Sequence, residues 1–463
     1  MRLRLAVLLA VLLVAAWLRI GGIGMQSLRG DEAFTARYWT AALAELTATD
    51  GLAWREPHPF GAFLAFGAWV RLAGSTEIAL RTLPALLNLL GAAAVYASAR
   101  HLFRPERAVQ IGVVAALLWA CNPYLIWHSQ DARNYALWSG VSAVALWLLI
   151  RAAERGTRRA WLLYAAVEIA ALYLFFLEGL LLALHGLYML LARRRALRGW
   201  LLALGVILIA QVPNAIQAVA LANSGYSGTR GSADLTALPN FWAVLLLGEL
   251  SAPAFGASVL IVLLIGLLCL PQHLRAFFAA ALILPLVALY LVSTRLNVFD
   301  PRYILAVVPF GVLILACVAA RRRVAVSLAL ATLLIGVQLW ALLPYRAPDY
   351  RKAADWRTWA AFLGAQTTAA DTLIVTPADP ASGATDPVIG YYYTQPARVL
   401  VLPYPNVDTE AFVQAALAES RAVWFTPTGS RGEAVLAALA RFGVLEGEFT
   451  VGQSFRVWRY RKR

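Results

Sequence analysis

The sequence predicts a polytopic α-helical membrane protein with a small C-terminal α/β soluble domain, and three observations carry that prediction. The 463 residues are 61% hydrophobic and only 14% charged, against about 25% charged in soluble domains. Long apolar runs recur from the N-terminus to about residue 343. Arginines gather in short clusters between those runs, where they act as topology signals.

An apolar excess of this size exceeds what one soluble core absorbs, so lipid is the solvent. The formal net charge is +15. No long basic tail or basic helix stands apart from the apolar runs, which argues against nucleic-acid binding. Cys121, Cys269 and Cys317 lie far apart in apolar stretches without ligand spacing, so they read as small core residues.

Apolar runs at 4–21, 78–98, 108–127, 135–151, 160–176, 179–192, 199–218, 254–270, 276–294, 302–319 and 324–343 are the expected spans, about eleven in all. The start, Met1 to Leu18, resembles a signal peptide. No convincing small-x-small cleavage site follows before Asp31, so an uncleaved first span is expected. The basic clusters are Arg100, Arg104 and Arg107; Arg151, Arg155, Arg158 and Arg159; Arg193, Arg194, Arg195 and Arg198; His273 and Arg275; and Arg321 to Arg323. With these spans all five fall on the side of Met1, which the positive-inside rule makes cytoplasmic. Counting the apolar stretch 58–73 as a span would move every later cluster outside. It is therefore expected to be an interfacial or re-entrant helix.

The outer face then collects the loop 22–77, the segment Asn122 to Asn134, the region near Glu178, the loop 219–253, and Ser293 to Pro301. These stretches hold nearly all the unusual polar residues of the membrane half.

Composition changes after Leu343. Domains are expected at 1–344 and 345–463, the second extracytoplasmic. Within it, 350–364, 410–418 and 433–442 show helical periodicity. Strand-like runs occupy 372–376, 398–402 and 422–425, and 448–460 alternates like a strand or hairpin. Alternating strands and helices predict a largely parallel sheet. No glycine-rich nucleotide fingerprint occurs in it, and the domain reads as a cap or acceptor-docking module.

Four constellations could carry chemistry. Arg29-Gly-Asp-Glu-Ala-Phe-Thr-Ala-Arg37 places Asp31 and Glu32 soon after a span. Asp31 is either an N-cap for a helix running to Trp39 or a base that takes a proton from an acceptor hydroxyl. Glu56 and His58 stand two apart in a proline-stiffened turn. They form either a structural turn or two ligands of a divalent cation, the one cofactor the sequence suggests. Asn122 to Tyr135 is dense in polar groups, with Asp131 and Arg133 either paired or at a site. Arg302 and Tyr303 open an outer helix end, which suits a lipid phosphate or an interfacial anchor. Glu178 lies between two short apolar runs, and His185 reads as a bonded core residue.

Asp-x-Asp and Gly-x-Ser-x-Gly motifs are missing. The two lysines, Lys352 and Lys462, do not follow a glycine, so a P-loop is excluded. An outward-facing enzyme has no cytosolic nucleotide sugar and would need a donor already in the membrane.

The order Asp-Glu, then Glu-Pro-His-Pro, then Ser129-Gln-Asp-Ala-Arg-Asn-Tyr135, then Pro-Arg-Tyr resembles the GT-C glycosyltransferases. It is most similar to the bacterial branch related to protein O-mannosyltransferases and to the lipid A aminoarabinose transferase. The likeness covers about residues 1–345, and the opening of the tail, Asp-Tyr-Arg-Lys-Ala-Ala-Asp-Trp356, is also similar to many members. The resemblance implies inverting transfer from a polyprenyl-phosphate sugar to a hydroxyl on an envelope lipid, glycan or protein, in the bacterial inner membrane. It implies that Asp31 is the catalytic carboxylate with Glu32 its neighbour, and that Arg302 and Tyr303 grip the donor phosphate. Asp131 is a further catalytic candidate, Arg133 and Arg37 are further candidates for the donor phosphate, and Glu178 and Tyr135 are further site candidates. Glu56 matches a metal-holding glutamate of some relatives. Departures are Phe60 where His-Pro-Pro is common, Asp131 where Glu is common, and Glu178 near a frequent His. The competing expectation is a transporter or flippase of lipid-linked sugars, with ionisable groups near the midplane.

Overall fold

A computed structural model describes residues 2–48, 51–320, 323–376, 387–394, 397–402, 408–428 and 431–463. Of the predicted topology signals, Arg321 and Arg322 lie outside the described residues. Two compact units form. One comprises Met1–Ile23 with Trp39–Tyr350, the other Gly24–Tyr38 with Arg351–Arg463.

The first unit is helical, and each of the expected spans falls on helix. By length and composition, five described helices suffice to cross a membrane: Glu77–Leu102, Asn134–Arg155, Gln272–Ser293, Pro301–Ala319 and Val324–Arg346. Two further pairs, Pro105–Cys121 with Pro123–Ser129 and Arg194–Ala210 with Val212–Asn223, are each bent by 54°. Proline explains both bends. Pro123 and Pro213 sit in the first turn of the second helix, where a missing N–H is tolerated but the preceding helix cannot run on unbroken. Asn122 caps the first break, accepting from the Leu125 N–H at 2.9 Å. The remaining runs are shorter helices, such as Glu178–Ala192. The stretch expected to be interfacial is the helix Phe60–Ala73.

Glu77–Leu102 packs on both Pro105–Cys121 and Asn134–Arg155. Gly140 permits the second contact, because a Cβ there would overlap the Leu87 backbone. A cation buried in this apolar packing must be satisfied. Arg19 donates to Asn88 Oδ1 at 2.9 Å and to the Ala120 and Trp119 carbonyls at 2.9 and 3.1 Å. Asn88 in turn donates to Ser139 Oγ at 2.9 Å.

The second unit holds a five-stranded sheet in the order Arg398–Val401, Thr372–Val375, Val423–Thr426, Phe455–Lys462, Gly443–Val451. The first three strands are parallel. The last two form an antiparallel hairpin that joins them through Val423–Thr426. Thr372–Val375 and Val423–Thr426 are buried throughout, as strands covered on both faces must be. Helices Thr409–Glu419 and Gly432–Phe442 supply Val413, Leu417, Val435 and Leu439 to a core with Ile374 and Phe425. The helix expected over 350–364 is instead Trp356–Gln366, because Asp355 caps it: Oδ1 accepts from the Thr358 N–H at 3.2 Å and Oδ2 from its hydroxyl at 2.7 Å.

Candidate functional site

The polar residues of the helical unit converge on an aromatic cluster. Arg302 sits in the first turn of Pro301–Val307, with its backbone N–H donating to Asp300 Oδ1 at 3.0 Å. Its guanidinium lies 5.0 Å from the Tyr135 ring centre and 5.1 Å from that of Tyr303, within cation–π range. It donates to Tyr303 Oη at 3.3 Å and lies 3.6 Å from Asp300 Oδ2. Phe175 stacks on Tyr303 at 5.8 Å and meets Tyr135 edge-on at 5.6 Å. Arg302, Tyr303 and Tyr135 are all buried. The arrangement presents a preorganised cation and a phenol at a helix N-terminus, chemistry that suits an oxyanion.

Glu178 supports the cluster through Trp138. It is fully buried and accepts from Trp138 Nε1 at 2.6 Å and Ser142 Oγ at 2.9 Å, while Trp138 packs 4.7 Å from Phe175. Sequence reasoning singled out Glu178 and Tyr135 but missed Trp138 and Phe175. Aromatics inside apolar stretches carry no local signal that distinguishes them from core.

Glu56, His58 and Arg133 form a triad. His58 Nδ1 lies 2.8 Å from Glu56 Oε1, and Arg133 Nη2 lies 3.3 Å from His58 Nε2 and 3.7 Å from Glu56 Oε1. A guanidinium only donates, so His58 Nε2 accepts and Nδ1–H donates to Glu56. Burial pushes the His58 imidazolium down from its ordinary pKa, and the Arg133 charge pushes the same way. Arg133 also lies over Trp39 at 4.2 Å. The turn itself is clamped by Gln217, whose Nε2 donates to the Ala53 and His58 carbonyls, both at 2.8 Å. Sequence reasoning missed Gln217, an amide some 160 positions away in a helix read as a span. A divalent cation does not fit the Glu56–His58 pair, because Arg133 already supplies its positive charge. Among the described residues, no group of three His, Cys, Asp or Glu side chains could hold a metal ion. Asp131 is fully buried in the turn before Asn134–Arg155, where its carbonyl accepts from the Arg133 N–H at 2.7 Å. His185 is bonded as expected: Nδ1 lies 3.2 Å from both Glu168 Oε2 and Tyr164 Oη.

In the second unit Asp31 occupies the second position of the helix Gly30–Phe34, which continues as a π-helix, Thr35–Trp39. The N-cap is Arg29, not Asp31. Glu32 is buried, and its Oε2 accepts from the Arg29 N–H at 3.1 Å, which closes the first turn. The Asp31 side chain remains 42% exposed, with Arg29 Nη1 3.4 Å from Oδ2. Arg37 is exposed over the Tyr38 ring at 5.5 Å. π-helical turns are rare and concentrate at functional sites.

An apolar groove of ≈ 700 Å³ runs between Glu178–Ala192, Leu197–Ala210 and Gln272–Ser293, lined by residues such as Leu184, Leu187, Trp200, Leu284 and Leu291.

The family model described as dolichyl-phosphate-mannose-protein mannosyltransferase matches residues 57–216. No curated protein matches. Among solved structures, ArnT from Cupriavidus metallidurans in the apo state is 15% identical, with a TM-score of 0.61 over 99% of this chain and 97% of that one. The same enzyme bound to undecaprenyl phosphate is 14% identical, with a TM-score of 0.59 and the same coverage. The arabinofuranosyltransferase AftD from Mycobacteria is 14% identical at a TM-score of 0.55, over 100% of this chain and 40% of that one. The chain therefore has the GT-C glycosyltransferase fold, as the resemblance implied.

Proposed function

We propose that this chain is an inverting glycosyltransferase that moves a sugar from a polyprenyl-phosphate donor to a hydroxyl acceptor on the extracytoplasmic face of the bacterial inner membrane. The observation that carries the reading is the buried Arg302–Tyr303–Tyr135 cluster at a helix N-terminus, in a fold shared with an enzyme solved with undecaprenyl phosphate. The apolar groove has the chemistry of an isoprenoid chain, and support for a membrane-borne donor comes from it as well.

In this reading Asp31 takes the proton of the acceptor hydroxyl. The acceptor oxygen bonds to the anomeric carbon from the face opposite the leaving group. The bond from that carbon to the phosphate oxygen breaks, and polyprenyl phosphate departs with both electrons of that bond. Arg302 and Tyr303 stabilise its charge. Arg133 and Arg37 are further cations for phosphate or sugar, and Asp131 a second carboxylate of the site. The Glu56–His58–Arg133 triad holds the outer turn rather than a metal.

The test is to incubate the purified protein with a panel of polyprenyl-phosphate sugars and envelope acceptors and weigh the product. A glycosylated acceptor with inverted anomeric configuration is expected, and its absence across the panel would remove the proposal. For the face, Arg37→Cys and Asn297→Cys in a background free of Cys121, Cys269 and Cys317 should both react with an impermeant maleimide from outside.

The second reading, a transporter or flippase, has one observation in its favour: the buried Glu168–His185 pair within the helical unit. Accumulation of a lipid-linked sugar in sealed vesicles without a new glycosidic bond would select it.

A further inference from the structure

Asp31 lies early in the chain, yet its segment, Gly24–Tyr38, belongs to the compact unit formed by Arg351–Arg463. The ties are specific. Arg357 Nη2 donates to the Gly24 carbonyl at 2.8 Å and to the Gln26 carbonyl at 3.1 Å. The Arg357 backbone N–H donates to Ser27 Oγ at 3.2 Å, and the Lys352 N–H donates to Gln26 Oε1. Tyr392 Oη accepts from the Leu28 N–H at 2.6 Å. Beyond these contacts the helix Gly30–Phe34 packs on the helix Pro387–Tyr392, where Gly390 leaves space that the Arg37 guanidinium fills.

Most of these bonds reach main-chain groups of the segment. The Gln26 and Ser27 side chains carry the remaining ties, and the path of the backbone from Gly24 to Leu28 is held directly by Arg357 and Tyr392. That path sets where the short helix starts, and the helix sets where its second residue points. The helical stretch Gly30–Trp39 is shorter than the roughly 12–15 residues an isolated helix needs to hold itself in water, so its geometry depends on such ties.

We propose that Arg357 and Tyr392 are positioning residues for the Asp31 carboxylate, and that the C-terminal domain is the mount of the base rather than only a cap or acceptor-docking module. The inference rests on the reading of Asp31 as the base. A misplacement of about 1 Å in a reacting group costs about a hundredfold in rate, so partial loosening should register in turnover before it registers in donor binding.

The experiment uses the full-length protein in nanodiscs with Tyr392→Phe, Arg357→Ala and Arg357→Lys. Tyr392→Phe keeps the ring and removes only the acceptor, so it guards against a variant that fails to fold. Three quantities are read: kcat for transfer from the polyprenyl-phosphate sugar active in the panel, Kd for undecaprenyl phosphate, and amide hydrogen exchange over 24–34. Expected are faster exchange across Leu28–Phe34, a fall in kcat of about tenfold and a Kd within about twofold of the parent. Arg357→Lys should recover part of the loss. Wild-type kcat in Tyr392→Phe and Arg357→Ala overturns the positioning role, and so does an equal loss of kcat and undecaprenyl phosphate binding, which would mark a structural role alone. Asp31→Asn separates the two levels. If it transfers sugar at the parental rate, the base assignment itself fails. If it is inactive while Tyr392→Phe and Arg357→Ala are fully active, only the positioning fails.

Discussion

The Arg302 cluster and the Asp31 segment hold opposite charges by opposite means. Arg302 is buried among rings from two helices and the link that carries Phe175, and side chains do the holding. Asp31 is 42% exposed on a short helix whose approach is held through backbone carbonyls and N–H groups by residues more than three hundred positions later. The difference teaches where each can be damaged. A side-chain cluster fails when a member is truncated, whereas a backbone-held segment fails when its distant donors and acceptors are removed.

The sharpest way to break the comparison is Asp31→Asn. Loss of a general base should lower kcat by about 10²–10⁴-fold, while undecaprenyl phosphate still binds, read by titration of the nanodisc protein. Parental turnover would remove Asp31 from the chemistry. Next in size is Arg302→Ala, which should weaken undecaprenyl phosphate binding by about ten- to a hundredfold, the worth of one or two charge-assisted hydrogen bonds. Arg302→Lys should recover only part, since an ammonium lacks the planar fork. An unchanged Kd would detach the cluster from the phosphate.

Smaller effects test the support beneath. Trp138→Phe leaves the buried Glu178 carboxylate without its 2.6 Å donor. It should destabilise the protein by about 1–3 kcal/mol, seen as a lower melting midpoint in detergent, and a midpoint at the parental value would show that Glu178 does not depend on Trp138.

The smallest expected effect is one of pH. The His58 imidazolium is held below its ordinary pKa of 6.5 by burial and by Arg133. The unfolded chain therefore takes up a proton at this residue before the folded one does. The stability tied to neutral His58 is fully present above pH 6.5, declines below that value, and is lost by the pH at which the folded imidazole itself protonates. His58→Gln should flatten the fall of the melting midpoint below pH 6.5. An equally steep fall in the variant would assign the pH dependence to other groups.

Much of the fold was legible because it is written in local patterns. Apolar runs specify helices in lipid, where every backbone group must be bonded within its own segment. Alternation with short helices specified the C-terminal strands, and the last run, legible as a strand or a hairpin, is the hairpin. The bends at Pro123 and Pro213 were less legible as spans, since proline marks a break but not the direction of the next helix. Of the candidate site, Arg302, Arg133 and Glu56 stood out because charge in an apolar chain is costly, and Tyr303 because it adjoins Arg302. Trp138, Phe175 and Gln217 did not, because a tryptophan, a phenylalanine or an amide costs little in a helix until a distant partner selects it. The N-cap role considered for Asp31 went instead to Arg29, a choice of one or two residues that helix periodicity does not resolve.

By itself the sequence determined that the chain is membrane-borne and helical, that its composition changes after Leu343, and which residues bring charge into the apolar stretches. These follow from composition and period, which act over a few turns. Only the tertiary structure decided that Arg133 lies beside Glu56 and His58, and that the segment bearing Asp31 folds with residues after Arg351. Both depend on contacts between groups far apart along the chain. Such contacts are chosen by the satisfaction of buried charge and backbone hydrogen bonds, which no local pattern records.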